Sequence, residues 1–294
     1  MSDHDADHPN PSREVPSGLR KILNTHGYGF QYAVVDEARR LFNERRSRWR
    51  FEAAEVPVVT RGTTIHIDFL LRQGDQTEQT YLIAECKRTD SARARWVFAR
   101  APYTWRGASP RNVIFEQVSC EPPDNRILER TPYECECPMN RQPYHHGFEL
   151  RTHNRGEGTG QSTGAIMKAV TQVLRGTSGW INHLFSHRSF AQKTTFRFIP
   201  VIFTTAELWV TDAELSQAER TTGTLPLAAV TASPVDYVWL THNRSADLRH
   251  DLAWERTNDD LSREMRREFA RSMAIVSPGS IGRFLTREGE GLVL

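Results

Sequence analysis

The feature that most constrains the fold is an apolar run at residues 198–203 (FIPVIF), the most hydrophobic stretch of the chain. A short continuous apolar run of this kind is typical of a strand that is buried within a sheet. Thr204 and Thr205 supply a turn after the run, and a second short strand is predicted from Leu208 to Thr211. We therefore expect a buried β-sheet in the core of the protein.

The first hundred residues predict one helix followed by three strands. Apolar residues recur every three or four positions from about residue 31 to residue 46, which indicates a helix with one face toward the core. Strands are predicted for residues 48–59, 63–72 and 81–88, which are rich in alternating apolar residues. The polar segment 73–76 (QGDQ) is a hairpin-turn signal, so the second and third strands are expected to pair.

The rest of the chain is less regular. Periodicity fades over residues 96–162, and we expect a large insertion there with little regular structure. A helical pattern follows at residues 164–175 and is expected to resume at residues 180–187. A further strand is predicted for residues 235–240 and a last helix for residues 259–273.

The composition predicts a globular protein with a substantial core. Of 294 residues, 38% are hydrophobic and 25% are charged, and no apolar run is long enough to span a membrane. The acidic, histidine-bearing segment at residues 1–16 lacks the order of a signal peptide and predicts a disordered leader, so we expect a cytoplasmic location. The net charge is only +2, yet all but four of the 38 basic residues are arginine, which suits phosphate binding.

Two carboxylates and a lysine form the main candidate site. Side chains alternate faces along a strand, so Glu85 and Lys87 share one face of the third strand. In the register that centres the hairpin turn, Asp68 of the second strand lies opposite Glu85. Two carboxylates, helped by the backbone carbonyl of Cys86, could hold a hard divalent cation such as Mg²⁺ or Mn²⁺, and Lys87 could support an attacking water.

This pattern resembles the D…(D/E)xK signature of the PD-(D/E)xK, or restriction-endonuclease-like, nuclease superfamily. The match covers Asp68 and Glu85-Cys86-Lys87, although Ile67 stands where a proline often precedes the first acid. The resemblance implies an α/β fold with an αβββαβ core and a mixed central sheet, extended here by the long insertion and a C-terminal α/β extension. It also implies auxiliary roles for Glu37 on the first helix and Gln172 on the helix after the motif.

From the resemblance we expect a metal-dependent hydrolase that cuts phosphodiester bonds of DNA, in restriction, repair or phage defence. The nuclease core would span residues 17–211 and the extension residues 212–294 of the same domain. Nucleic acid would be the main partner, with a homodimer or a protein partner as a further expectation and no membrane contact. One alternative is a catalytically inactive nucleic-acid-binding module of the same fold.

The other alternative is a zinc-stabilised regulatory protein. Its ligands would be thiolates and imidazoles from the insertion, although their spacing matches no standard zinc finger. The residues concerned are Cys120, Cys135, Cys137, His145 and His146. The glycine-rich segment that follows, residues 156–164, lacks the lysine of a phosphate-binding loop and is interpreted as a flexible lead-in to the next helix.

Overall fold

The protein has an α/β fold with two mixed β-sheets and few helices. The computed structural model describes residues 18–19, 23, 27–60, 62–89, 95–100, 113–122, 126–135, 144–153, 156–162, 164–187, 190–226, 230–243 and 270–288. Its α-helices are α1 (Tyr28–Asn43), α2 (Gly164–His187) and the short α3 (Ile281–Arg283). Its strands are β1 (Arg50–Thr60), β2 (Thr63–Gly74), β3 (Glu78–Lys87), β4 (Arg95–Ala99), β5 (Val113–Glu121), β6 (Arg126–Cys135), β7 (His146–His153), β8 (Gly156–Ser162), β9 (Thr194–Thr204), β10 (Glu207–Thr211), β11 (Ala232–Val235), β12 (Tyr237–Asn243) and β13 (Ala270–Val276).

Short 3₁₀ and π turns complete the helical elements. They are two 3₁₀ turns, Leu215–Gln217 and Pro278–Ser280, and a π turn at Phe284–Glu288 that continues α3. No helix in the described part of the chain is long and apolar enough to cross a membrane.

The larger sheet is built around β3 and β9. Its path runs β1-β2-β3-β9-β13-β12, with β1, β2 and β3 antiparallel to one another and β9 parallel to β3. The other edge of β9 is shared: β5 pairs antiparallel with residues 194–198, and β13 pairs parallel with residues 201–203. Strand β6 then pairs with β5. The apolar run of β9 is therefore hydrogen-bonded on both edges, as expected for a buried strand.

The two long helices cover opposite faces of this sheet. Helix α1 packs Val34, Val35, Ala38 and Leu41 on one face, together with Phe69, Leu82 and Phe203 from the strands. Helix α2 packs on the other face, against Leu70 and Ile83 near its C-terminal half. Its N-terminal half also contacts Trp96 and Phe98 of the second sheet, which has the order β11-β10-β4-β7-β8. Helix α2 thus joins both sheets into one core.

A buried glutamate from the second sheet fixes the start of α2. The carboxylate Oε1 of Glu149, on β7, accepts hydrogen bonds from the backbone N–H groups of Ala165 (2.5 Å) and Ile166 (3.2 Å). The first N–H groups of a helix have no partner within it, and a negative charge there also interacts favourably with the helix dipole. Glu149 is only 2% exposed, so the capped end of α2 is held firmly in place.

Two glycines let α2 approach the sheet closely. A Cβ on Gly176 would lie 3.1 Å from Ile67 Cγ1, and one on Gly179 would lie 2.6 Å from Val58 Cγ2. Both distances are shorter than ordinary van der Waals contact. The expected continuation of the helix to residue 187 is confirmed, and α2 also includes these two glycines, whose lack of a Cβ permits the close approach.

Most of the predicted elements outside the insertion are confirmed. The helix and three strands of the first hundred residues form α1, β1, β2 and β3, and the apolar run and its short successor form β9 and β10. The strand predicted at residues 235–240 forms as β12, shifted to residues 237–243. Strands β12 and β13 both belong to the larger sheet, a position that the sequence pattern did not predict for either.

The expectation of little regular structure over residues 96–162 is wrong. Five strands, β4 to β8, form there, and the segment taken as a flexible lead-in is β8. Among the described strands, β6 pairs with β5 alone and β8 with β7 alone. Strands at a sheet edge tolerate proline and glycine, here Pro132 in β6 and the glycines of β8, so they lack the apolar alternation of inner strands.

The last predicted helix is also partly wrong. Ala270 to Met273 belong to strand β13, which pairs with both β9 and β12, and residues 259–269 lie outside the described part of the chain. Met273, Ala274 and Ile275 are at most 1% exposed. An apolar segment buried on both faces does not alternate in polarity, so a periodicity test does not distinguish it from a helix.

Replacing Gly179 with alanine tests the close packing of α2. The added methyl group would collide with Val58, a strain of about 1–3 kcal/mol, against a gain of about 1 kcal/mol in helix propensity. We expect Gly179→Ala to lower the free energy of unfolding by up to about 2 kcal/mol, as measured by urea denaturation, whereas the gain in helix propensity alone would raise it. Gly29→Ala in α1 is the control, because a Cβ there meets no atom within 4 Å. Equal stability of the two variants would contradict this packing.

Candidate active site

The hairpin of β2 and β3 brings two carboxylates together. Phe69 pairs with Ala84 and Gly74 with Gln79, which is the register predicted from the turn. Asp68 and Glu85 each lie one step beyond the last pair, Phe69–Ala84, and the charge of Asp68 contributes to the raised pKa of Glu85. Glu85 points to the face covered by α2, as Ile83 does, because side chains two positions apart on a strand share a face. Glu85 is only 3% exposed.

A short hydrogen bond fixes the Asp68 carboxylate. Its Oδ2 accepts the backbone N–H of Cys86 at 2.5 Å. The regular pairing of β2 with β3 ends at Phe69, and the Asp68 carboxylate accepts from the Cys86 N–H just beyond that end. The Cys86 thiol points to the opposite face of β3, among the apolar residues under α1, and burial raises its pKa well above the usual value.

Lys87 connects this pair to α2. Its ammonium Nζ lies 2.6 Å from Glu85 Oε1 and donates a hydrogen bond of 2.6 Å to Gln172 Oε1. The Gln172 side chain is exposed, whereas Lys87 is partly buried. The structure therefore brings together Asp68, Glu85, Lys87 and Gln172, four of the side chains singled out in the sequence.

Burial dominates the electrostatics of the two acids. Loss of solvent raises the pKa of Asp68 to about 6, opposed by the Cys86 N–H and the charge of Lys87. It raises the pKa of Glu85 to about 7, where the nearby charge of Asp68 adds to the effect and Lys87 opposes it. Two carboxylates that repel each other in a water-poor site are stabilised in their charged forms by a cation. One lysine shared with an amide only partly supplies that charge.

Two further polar residues reach the site that the sequence pattern did not identify. Gln31 of α1 is 3% exposed, and its amide Nε2 lies 2.6 Å from Glu55 Oε1 and 2.8 Å from the backbone carbonyl oxygen of Asp68, donating to both. The register of β1 and β2 aligns Glu55 with Asp68. The negative charge of Glu55 contributes to the raised pKa values of Asp68 and Glu85.

Glu55 also has an unusual backbone conformation. Its φ is +52°, in the left-handed region that residues with a Cβ rarely adopt. Non-glycine residues held there cost about 1–3 kcal/mol and are concentrated at functional sites. The sequence offered one signal for this pair: Gln31 is a polar residue on the buried stripe of α1, where an apolar residue is expected.

Glu37 is not brought into this cluster. Arg40 holds its carboxylate with two hydrogen bonds of 2.8 Å, and this bonding lowers the pKa of Glu37. The same oxygen that accepts from Arg40 Nη2 lies beside Gly282 of α3. The polar side chain of α1 that contacts the motif strands is Gln31, two helical turns nearer the N-terminus than the predicted residue.

The cysteines of the insertion do not form one zinc site. Cys120 pairs with Ile127 and Cys135 with Val113, at opposite ends of the β5–β6 hairpin. At about 3.3 Å per residue, the two cysteines lie roughly 23 Å apart and cannot bind the same ion. Cys120 is buried, and its thiol donates to the Thr194 carbonyl oxygen. Cys137 lies outside the described residues, and His146 begins β7 in the other sheet.

The donor set suits a hard cation that keeps part of its water shell. Among the described residues, no group of three or more His, Cys, Asp or Glu side chains could hold a metal ion by itself. Mg²⁺ is usually bound through one or two carboxylates, with water and substrate phosphate oxygens completing its octahedral shell. Asp68 and Glu85 supply two such carboxylates, and their raised pKa values reflect burial first and the charges of neighbouring acids second. The residues therefore fit Mg²⁺ or Mn²⁺.

Comparison with known proteins found no relative of this chain. No family model, no curated protein and no solved structure matches this chain. The superfamily resemblance of the motif therefore stays a prediction, and function has to be inferred from the geometry of the site.

The pH dependence of stability tests the electrostatics of Glu85. Because the folded pKa values of Asp68 and Glu85 lie above the ordinary values of 3.8 and 4.5, the folded state binds more protons than the unfolded chain between about pH 4 and pH 7. The free energy of unfolding should therefore fall as the pH rises through this range in the presence of EDTA. Glu85→Gln should make the fall shallower, as measured by urea denaturation at several pH values.

The matched control is Glu37→Gln. The pKa of Glu37 is lowered, so this residue contributes with the opposite sign, and its removal should leave the fall in stability in place. If the free energy of unfolding depends on pH identically in wild type and Glu85→Gln, the raised pKa of Glu85 is contradicted.

Proposed function

We propose that the protein is a Mg²⁺-dependent nuclease that hydrolyses phosphodiester bonds of DNA. The observation that carries the proposal is the proximity of two buried acids: the Asp68 carboxylate accepts from the N–H of Cys86, next to Glu85, and the Lys87 ammonium lies 2.6 Å from Glu85. An acid pair and an adjacent lysine on one sheet face provide cation ligands and a proton-handling group within one small site. A surface ion pair would not need burial, and Glu85 is buried.

Each residue has a distinct role in the proposed reaction. Asp68 and Glu85 bind the cation, and the Cys86 N–H orients the Asp68 carboxylate through its 2.5 Å hydrogen bond. A divalent cation at such a site polarises the phosphate and lowers the pKa of bound water. Lys87 donates from its ammonium to the attacking water or to the charge that develops on the phosphate oxygens. Gln172 accepts from the same ammonium and fixes its direction.

The face of α2 beside Lys87 suits a polyanionic substrate. Lys168 lies four residues before Gln172 and Arg175 three residues after it, so the three side chains share one helix face. Lys168 is exposed and Arg175 is partly exposed. Positive charge on both sides of the site would contact the phosphates that flank the scissile bond.

We also propose that α1, β1, β2, β3, α2 and β9 form the αβββαβ core of a restriction-endonuclease-like fold. The order of these elements supports this, as does the mixed pairing in which β1 to β3 are antiparallel and β9 is parallel to β3. Strands β4 to β8 would then be the insertion between the motif strand and the following helix.

A cleavage assay tests the nuclease directly. Plasmid, linear duplex and single-stranded DNA and an RNA would be incubated with the protein in Mg²⁺, in Mn²⁺ and in EDTA. We expect cleavage of DNA that requires the metal. Lys87→Ala should lower the rate by roughly 10²–10³-fold, the cost of losing one donor to the charge that develops in the transition state. Asp68→Asn should abolish cleavage mainly by weakening metal binding.

Lys193→Ala is the matched control, because this exposed lysine lies before β9 and away from the motif. It should cleave at the wild-type rate. Full activity of Lys87→Ala or of Asp68→Asn would contradict the proposed mechanism. A folded wild-type protein that binds DNA but does not cut it under any condition would favour the inactive binding module instead.

A further inference from the structure

We propose that Gln31 is a positioning residue of this site, which holds Glu55 and the backbone of Asp68 in place so that the acid pair can bind its cation. The inference deepens the proposed nuclease function and rests on it. The residue comes from α1, whereas both acids of the motif come from the hairpin. Nothing in the D…ExK pattern points to this residue.

The contacts of Gln31 are those of a cross-link. One amide group donates to β1 through Glu55 Oε1 (2.6 Å) and to β2 through the Asp68 carbonyl oxygen (2.8 Å). The residue is 3% exposed, so water does not replace either bond without cost. Helix α1 is therefore tied to both strands at the level of the candidate site.

The position of Asp68 depends on its backbone as well as on its side chain. Its carbonyl oxygen is held by Gln31 on one side, while its carboxylate accepts from Cys86 on the other. The regular pairing of β2 with β3 ends one residue away, at Phe69, so it does not fix Asp68 against β3. Loss of the Gln31 amide would leave the Asp68 backbone free to shift, and the carboxylate would move with it.

Glu55 adds a negative charge beside the acid pair. The residues on either side of it pair regularly with β2, although its own φ is positive, and its carboxylate accepts a hydrogen bond from Gln31. We assign Glu55 no ligand role, because its Oε1 already accepts from the Gln31 amide. Its charge adds to the negative potential that attracts a cation to Asp68 and Glu85.

The test compares Gln31→Met with wild type in two measurements. Methionine keeps the length of the side chain and removes both hydrogen bonds. The first measurement is the dissociation constant for Mn²⁺, by calorimetric titration of the full-length protein. We expect Gln31→Met to weaken Mn²⁺ binding by about 10–100-fold, the usual cost of losing a partner that orients a metal ligand.

The second measurement needs no metal. The chain has four cysteines, so protein labelled with ¹⁵N-cysteine gives few amide signals, and that of Cys86 is the one missing from Cys86→Ala. The hydrogen bond to Asp68 should place the Cys86 amide proton downfield. We expect Gln31→Met to move this signal toward its position in Asp68→Asn, and Glu55→Gln to leave it unchanged while weakening Mn²⁺ binding less than Gln31→Met does.

Val34→Ala controls for a general loss of stability. Val34 is a core residue of α1 and contacts apolar neighbours, so its truncation should destabilise the protein without changing the Mn²⁺ affinity or the Cys86 signal. If Gln31→Met behaves like Val34→Ala, Gln31 is a structural residue only and the inference is overturned. If wild type binds no Mn²⁺, the nuclease proposal fails, and the Cys86 signal still decides whether Gln31 positions Asp68.

Discussion

The position of the candidate site depends on the pairing of β3 along both of its edges. All residues from Glu78 to Lys87 pair with β9, and residues 79–84 also pair with β2. A strand held on two sides cannot slip by one residue without turning every side chain to the other face. The apolar residues Leu82 and Ala84 lie under α1, so Ile83 and Glu85 must lie under α2. Burial of Glu85 thus follows from the packing of its neighbours.

That burial has a cost which the structure only partly offsets. Carboxylates removed from water without full compensation shift toward the neutral form, and both Asp68 and Glu85 do so. Lys87 and the Cys86 N–H each offset part of this cost, yet Glu55 adds a further negative charge. A strained φ at Glu55 and an under-compensated acid pair occur within the same few residues. Local costs of this kind are expected where a site is arranged for a ligand or a reaction.

Much of the central geometry follows from the sequence because its signals are local. Alternation along β2 and β3 and a short polar turn fix the hairpin register, and Asp68 and Glu85 lie one step beyond its last pair. Helical periodicity places Gln172 on an exposed face of α2, and the structure adds its contact with Lys87. These inferences need no knowledge of distant parts of the chain.

Other features depend on tertiary context that residue types do not encode. Gln31 meets Glu55 because α1 crosses β1 and β2 at one point, and a positive φ at a glutamate has no sequence signature. Glu37 has the residue type expected of an auxiliary acid, but a neighbouring arginine holds it. The strands between residues 95 and 162 were missed because two of them are edge strands.

The central claim is that Asp68 and Glu85 together bind a divalent cation, and anomalous diffraction from a crystal soaked in Mn²⁺ tests it most directly. The account predicts one strong anomalous peak about 2 Å from an oxygen of each carboxylate, and its loss in Asp68→Asn. A map with no peak between the two side chains would contradict the claim. In that case the ammonium of Lys87 would be the only cation at the site, and the acid pair would be a structural ion cluster.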